Sequence, residues 1–331
     1  MRGFLSGLIV ALLFAAGAAP AAAQQAWRHQ QSGIAIDRLP AGLRLGEVRD
    51  IARDGTDVAV TLGSAEDAVT LFIYRAAYPN AALWFERSRL AMNTSFGAGA
   101  IAVDARPFTL GPATQPNGLR EELDMPPGRR ALSAAIALAQ HGEWLIKVRI
   151  SSLRDRAPRL RQRMDELLAS LSFRGGSARS LPLRVPSTCS DQPAFAGRAV
   201  SAQDPARLVS ASAGAQAVAR QVRGDGGLAA APEQWCRAVS RFPADQVSLF
   251  RRLDGRGWAA LLGDNGYAVT GQGHAGSSGA AVYGSRSTGT TIAALFDDVP
   301  APDGVIEAAL PFAVGRRPGL DNRVYGRVGG R

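Results

Sequence analysis

A hairpin-like segment between residues 56 and 76 places the strongest constraint on the fold. TDVAVTL (56–62) and AVTLFIYRA (68–76) are β-type runs that flank the short polar stretch GSAED, which predicts a β-hairpin. In the second run, both alternating sets of residues are largely apolar. A strand of this kind has to be covered on both faces, which favours a layered α+β structure.

The rest of the segment 24–176 extends this pattern. Asn80 is a good N-cap for a helix that carries Trp84 and Phe85 on its core face. A second helix is predicted at about 155–170, with Pro158 in its first turn. Four further β-type runs lie between the helices: RPFTLGP, GLREELDMP, RRALSAAIALAQ and EWLIKVRIS. We predict an antiparallel sheet with helices on both faces.

This half also resembles a known family. The order of its elements, the Leu-Pro-Ala-Gly-Leu stretch (39–43) and the closing MDELLASLSF (164–173) are similar to the PsbP-like superfamily. That superfamily includes photosystem II extrinsic subunits and envelope lipoproteins of the DcrB type. The resemblance implies a binding or assembly module with no shared catalytic residues. Unlike the lipoprotein members, this chain has no cysteine near its N-terminus to carry a lipid.

A Gly/Ser/Pro-rich linker (177–188) leads into a second, smaller α+β domain (189–322) with a frayed tail (323–331). Asp204 is a predicted N-cap for a helix that runs to about Arg223, and a second helix is predicted to contain Trp235 to Val239. GVIEAALPFAVG (304–315) suits either a helix or a strand. Strands are predicted in QVSLFRRL, GWAALLG, GYAVTGQ, GAAVYGS and GTTIAALFDDV.

The N-terminal residues 1–23 read as a secretory signal peptide. Arg2 precedes an apolar run that closes with Ala21-Ala22-Ala23, the small-x-small pattern of a cleavage site. No later run is long enough to span a membrane. We therefore expect a secreted or periplasmic protein with no membrane span after cleavage, and an uncut membrane anchor stays the alternative.

Cys189 and Cys236 are the two cysteines of the chain. An even number within one predicted domain of a secreted protein favours a disulfide, while free buried thiols stay open. The sequence has no C-x-x-C pair, P-loop, HExxH or zinc-finger spacing, so we expect neither a metal nor a cofactor.

The formal charge of +10 comes almost entirely from arginine, because Lys147 is the sole lysine. Basic residues exceed acidic ones in both halves and alternate with them, which argues against nucleic-acid binding. The densest basic cluster is on the second helix. It forms either a solvated helix face or a contact for an anionic envelope surface, and its members are Arg154, Arg156, Arg159, Arg161 and Arg163.

Few residues suggest catalysis. In GHAGSSG (273–279), His274 lies beside Ser277 and Ser278, but no helix pattern follows, as a nucleophile elbow requires, so we interpret the stretch as a glycine-rich loop. Asp297 and Asp298 suit capping or solvation better than paired-acid hydrolysis. Glu121 and Glu122 point to opposite faces of a strand, which suits a solvated edge better than a metal site.

The sequence thus predicts a secreted, non-catalytic binding or assembly module of the bacterial cell envelope. Its partner would be an envelope protein or an anionic envelope polymer. The alternative is a periplasmic hydrolase that uses Ser277 or Ser278 with His274, or paired aspartates. The oligomeric state stays open.

Overall fold

The computed structural model describes residues 27–313 except 77, 79, 97–100, 103, 176–182, 192–194, 201–203, 207–208, 212, 214–233, 265, 274–278 and 287–288. In this part of the chain, strands form three sheets against which helices pack, so the predicted α+β class is confirmed. None of the helices in these ranges is long and apolar enough to cross a membrane.

The first sheet is antiparallel and contains eight strands within the described residues. A separate three-stranded sheet in the same half of the chain consists of β1 (Trp27–Arg28), β2 (Ala35–Ile36) and β11 (Leu171–Ser172). The first sheet runs in the order β3 (Arg44–Asp50), β4 (Asp57–Gly63), β5 (Asp67–Arg75), β10 (Trp144–Ser152), β9 (Ser133–His141), β8 (Gly118–Asp124) and β6 (Ile101–Ala102), with β7 (Arg106–Phe108) beside β8. The predicted hairpin is β4–β5.

One helix covers each face of this sheet. Helix α1 (Ala81–Phe96) begins after Asn80, whose Oδ1 accepts hydrogen bonds from the amides of Ala82 (3.1 Å) and Leu83 (3.2 Å). Helix α2 (Ala157–Ala169) buries one stripe, as its periodicity predicts, and its first amide donates to Asp124 Oδ1 at 2.9 Å. We call the two sides of the sheet the α1 face and the α2 face.

The second sheet lies in the C-terminal half. It runs in the order β12 (Ser187–Thr188), β13 (Trp235–Arg237), β14 (Val247–Arg252), β15 (Gly257–Leu262), β16 (Tyr267–Gly273), β17 (Ala280–Arg286) and β18 (Gly289–Phe296). Helix α3 (Pro302–Ala313) packs against β15 and β16, so the ambiguous segment 304–315 is helical as far as Ala313. Trp258 lies so close to Gly271 that a Cβ there would meet the indole ring at 2.5 Å.

The predicted helix at Trp235–Val239 is wrong. Residues 235–237 form β13, which pairs with β14 in the register Trp235↔Arg252. The five residues 235–239 are too few to distinguish the helical period from the strand period, and the pairing with β14 makes the segment a strand. The described residues between 205 and 213 are helical, as predicted after Asp204, whose Oδ1 accepts the Ala206 amide at 3.0 Å. The remainder of that predicted helix lies outside the described residues.

The two sheets share one hydrophobic core. The α1 face of the first sheet contributes Leu138 and Leu145, and the second sheet contributes Phe250 and Leu261 to the same cluster of buried residues. Helix α1 lies between the two sheets, and this is why residues 81–88 are buried on every side. The halves that the sequence separates by a linker are therefore packed against each other.

The predicted disulfide joins Cys189 to Cys236 and ties the edge of the second sheet, since β12 and β13 are neighbours. The bond closes a loop with a sequence separation of 47 residues. Chain entropy then gives a stabilisation of about 4 kcal/mol relative to the reduced protein.

Candidate functional site

The arginine cluster predicted on α2 is largely neutralised by carboxylates. Arg154 lies 3.1 Å from Glu66, Arg161 lies 3.5 Å from Glu122, and Arg163 lies 3.5 Å from Asp67. Arg156 and Arg159 are exposed, and neither makes an ion pair within the described residues. The five arginines therefore do not act as one uniform cationic surface.

An open groove lies close to this cluster, at the end of the first sheet. Three connections meet there: the β4–β5 turn, the β8–β9 connection and the segment between β10 and α2. Main-chain hydrogen bonds hold them together, from Leu132 N to Ser152 O (2.8 Å) and from Leu153 N to Glu66 O (2.9 Å). The groove has a volume of about 540 Å³ and is lined by Ser64, Ala65, Glu66, Asp67, Ala68, Met125, Arg129, Arg130, Ala131, Ser151 and Leu153.

The lining combines an apolar surface with a basic rim. Ala68 and Ser151 are partners across β5 and β10 and lie on the α1 face, while Leu153 is 43% exposed. Arg129 and Arg130 are exposed and make no ion pair within the described residues. The two carboxylates of the lining are already paired, Glu66 with Arg154 and Asp67 with Arg163, so the charge left at the rim is positive. Such a groove suits an anionic ligand with apolar parts.

A buried ionic cluster lies further along the same face of the first sheet. Lys147 in β10 is fully buried, and its Nζ lies 2.7 Å from Asp264 Oδ2 and 4.4 Å from the centroid of the Phe72 ring. The ring of Tyr74 is 5.4 Å from the same ammonium group. Aromatic rings on one side and a carboxylate on the other stabilise a cation that is removed from water.

Asp264 reaches Lys147 because the β15–β16 turn of the second sheet inserts against the first sheet. Helix α1 holds this turn: Arg87 donates to the carbonyl oxygen of Gly263 at 3.0 Å, and Ser88 Oγ donates to Asp264 Oδ1 at 3.0 Å. Arg87 also donates to the carbonyl oxygens of Ala244 and Asp245. We call these contacts, from Arg87, Ser88 and Lys147 to the segments 244–245 and 263–264, the inter-sheet latch.

The charges of the latch shift one another's pKa values. Burial lowers the pKa of Lys147, against the opposing effect of Asp264. Burial alone would raise the pKa of Asp264, but Lys147, Arg149 and Arg87 outweigh it and lower that pKa. Asp57, the first residue of β4, interacts electrostatically with both Lys147 and Asp264, and burial raises its pKa to about 6. A lysine with a lowered pKa can be a nucleophile, but Lys147 is enclosed, so the arrangement is that of a structural ion pair.

The prediction that Glu121 and Glu122 form a solvated edge is wrong, although they do point to opposite faces of β8. Both are buried, with exposures of 2% and 0%. Glu121 faces Arg89 of α1 at 3.9 Å, and Glu122 pairs with Arg106 and with Arg161 of α2. The arginines come from α1, from β7 and from α2, a context that strand alternation alone does not reveal.

The hydrolase alternative gains no support from the described residues. His274, Ser277 and Ser278 lie outside them. The carboxylates of Asp297 and Asp298 each accept a main-chain amide at 2.6 Å, from Arg198 and Val299 respectively, so both carboxylates have main-chain partners. Asp303 lies in the first turn of α3, 3.6 Å from Arg241.

The other two histidines make hydrogen bonds within the first half of the chain. His29 lies 2.7 Å from Ser32 Oγ and 2.8 Å from the carbonyl oxygen of Gly55, and burial lowers its pKa. His141 Nε2 lies 3.0 Å from the carbonyl oxygen of Gly175. Within the described ranges, no group of three or more His, Cys, Asp or Glu residues is arranged to hold a metal ion.

Comparison with known proteins adds little to this picture. No family model matches the chain, and no curated protein matches it. Among solved structures, cyanobacterial PsbP (CyanoP) from Synechocystis sp. PCC 6803 matches 45% of this chain and 92% of its own length, with 13% identity and a TM-score of 0.33. This is a weak resemblance to a PsbP-like fold, and it says nothing of activity.

The two ends of the latch should respond differently to substitution. Asp264→Asn leaves Lys147 buried without a counter-charge, so we expect a loss of about 3 kcal/mol in the free energy of unfolding. Lys147→Met should cost less, because Asp264 is 27% exposed and keeps Ser88 and Arg149 as neighbours. Urea unfolding of both variants and of the double variant gives the comparison.

Asp254→Asn is the control for this experiment, since Asp254 belongs to an exposed ion pair with Arg252 in the same half of the chain. We expect a change of less than about 1 kcal/mol there. A larger loss for Lys147→Met than for Asp264→Asn would contradict the account.

Glu121 should make stability depend on pH. Burial raises its pKa from 4.5 to about 7, with Arg89 opposing and Glu86, Glu122 and Asp104 assisting. The folded protein therefore holds this proton more tightly than the unfolded chain, and stability falls as the pH rises from about 4.5 to about 7. Glu121→Gln removes this dependence. The free energy of unfolding of the variant, relative to that of the wild type, should therefore be about 1–3 kcal/mol higher at pH 8 than at pH 5.

Urea unfolding at the two pH values measures this difference, with Glu307→Gln as the control at an exposed glutamate. If the Glu121→Gln and wild-type stabilities change in parallel between pH 5 and pH 8, the assignment to Glu121 is wrong.

Proposed function

We propose that the chain is a secreted, non-catalytic binding or assembly module of the bacterial cell envelope. The single observation that carries the proposal is the open groove with its basic rim of Arg129 and Arg130. Its volume of about 540 Å³ falls within the range of about 300–1,000 Å³ that is usual for ligand sites. The partner is an envelope protein or an anionic envelope polymer.

Two further features support a location outside the cytoplasm. The sequence begins with a segment of the signal-peptide type, and the chain carries the disulfide Cys189–Cys236. Disulfides of this kind persist in oxidising compartments such as the periplasm. Basic surfaces in the envelope meet anionic lipids, polymers and acidic proteins, which matches the charge left at the rim of the groove.

Site-specific photo-crosslinking in living cells tests the proposal. A photoreactive phenylalanine analogue is placed at Ala65 or Ala131, which line the groove, and at the exposed Val239 as the control. We expect one reproducible envelope component to crosslink from the two groove positions and not from Val239, with mass spectrometry identifying it.

Recovery of the uncrosslinked chain alone from all positions would contradict a binding role. Labelling of the wild-type protein by a fluorophosphonate probe, lost in Ser277→Ala or Ser278→Ala, would favour the hydrolase instead.

A further inference from the structure

The groove is more specific in its chemistry than a general anionic surface. Its floor and walls are formed by small or flexible apolar side chains: Ala65, Ala68, Met125, Ala131 and Leu153. Ser64 and Ser151 also line the groove. Ser64 Oγ already accepts the amides of Glu66 and Asp67, whereas Ser151 Oγ has no hydrogen-bond partner within the described part of the chain.

The position of the arginines adds a second constraint. Arg129 and Arg130 are adjacent residues of the β8–β9 connection, and the groove runs from this connection to the β4–β5 turn. The basic charge therefore lies at one side of an apolar floor. A ligand that fills the groove therefore carries its negative charge beside its apolar groups.

We propose that the groove binds an acidic, extended peptide segment of an envelope partner. Carboxylates of the segment contact Arg129 and Arg130, an aliphatic side chain lies on Ala68 and Leu153, and a main-chain group meets Ser151. This assignment rests on the proposed function and names the ligand class for that site.

A peptide fits this surface better than a lipid or a polysaccharide does. The groove is open to solvent, so an acyl chain in it would keep much of its apolar surface in water. A polysaccharide presents few apolar groups to a floor of alanine, methionine and leucine side chains. An acidic peptide with alternating aliphatic residues satisfies both the charge of the rim and the apolar floor.

Fluorescence anisotropy with defined peptides tests the proposal on the full mature chain. The probe is the pentapeptide ELDLE with fluorescein at its N-terminus and an amidated C-terminus, and its counterpart without charged side chains is QLNLQ with the same two ends. We expect the acidic peptide to bind at least tenfold more tightly than the neutral one. Arg129→Gln/Arg130→Gln should weaken the binding of ELDLE about tenfold, as expected for two solvent-exposed charge contacts.

Arg156→Gln/Arg159→Gln is the matched control, because it removes the same charge from two exposed arginines that do not line the groove. We expect less than a threefold change for it. Ala68→Trp leaves the charge unchanged and fills the floor, and it should also weaken binding about tenfold. Circular dichroism checks that each variant is folded.

Equal losses in the two arginine pairs would show general attraction and overturn the groove assignment. Tighter binding of dextran sulfate or of phosphatidylglycerol vesicles than of ELDLE would overturn the peptide class. Failure of both peptides to bind, together with crosslinking from Ala65 and Ala131, would refute the ligand class and leave the binding function standing. Crosslinking only from Val239 would leave a binding function and remove the groove from it.

Discussion

The ion pair between Lys147 and Asp264 is the contact on which the arrangement of the two sheets depends. Lys147 is buried in the centre of the first sheet, and its counter-charge comes from a turn of the second sheet. A buried lysine without that carboxylate would destabilise the fold, so the buried charge of the first half of the chain is neutralised only when the second half is in place. Arg87 strengthens the dependence, since it donates to three carbonyl oxygens of the second half.

The same arrangement positions the candidate site. The second sheet and α1 cover the part of the α1 face that holds Lys147 and leave the end near Ala68 and Ser151 accessible. Two residues beyond Lys147 on the same strand, Arg149 is still partly exposed and within 3.8 Å of Asp264. The groove is thus the uncovered end of a face whose remainder is the interface between the sheets.

Local patterns in the sequence were sufficient to predict much of the fold. The β4–β5 hairpin, both helices of the first half, the strands β14 to β18 and the Cys189–Cys236 pairing follow from periodicity, capping residues and cysteine number. Strand β12 instead falls within the predicted linker, and β13 within a predicted helix. Contacts between distant segments were not predictable in this way. The sequence places Glu121 and Glu122 in solvent because it does not reveal their arginine partners, which come from α1, β7 and α2. It predicts a helix at Trp235 because that segment is too short to distinguish the helical period from the strand period.

The site was also only partly predictable. The cluster on α2 was recognised by its density of arginines, yet most of its members are neutralised by carboxylates from other elements. The sequence places Arg129 and Arg130 at the start of the β-type run RRALSAAIALAQ and shows no site there, because only the folded sheet brings them to a groove. Lys147 did carry a signal: it is the sole lysine and lies within an apolar strand. Its partner in a turn more than a hundred residues away could not be read from the sequence.

Native-state hydrogen exchange tests most directly whether the two sheets form one cooperative unit. The amides of Leu138 and Leu145 report on the first sheet, and those of Ala259 and Leu261 report on the second. We expect the same free energy of opening for both pairs, within about 1 kcal/mol, because each sheet alone would lose part of its hydrophobic core and one partner of the buried ion pair. Opening of one sheet at a free energy several kcal/mol below that of the other would contradict it.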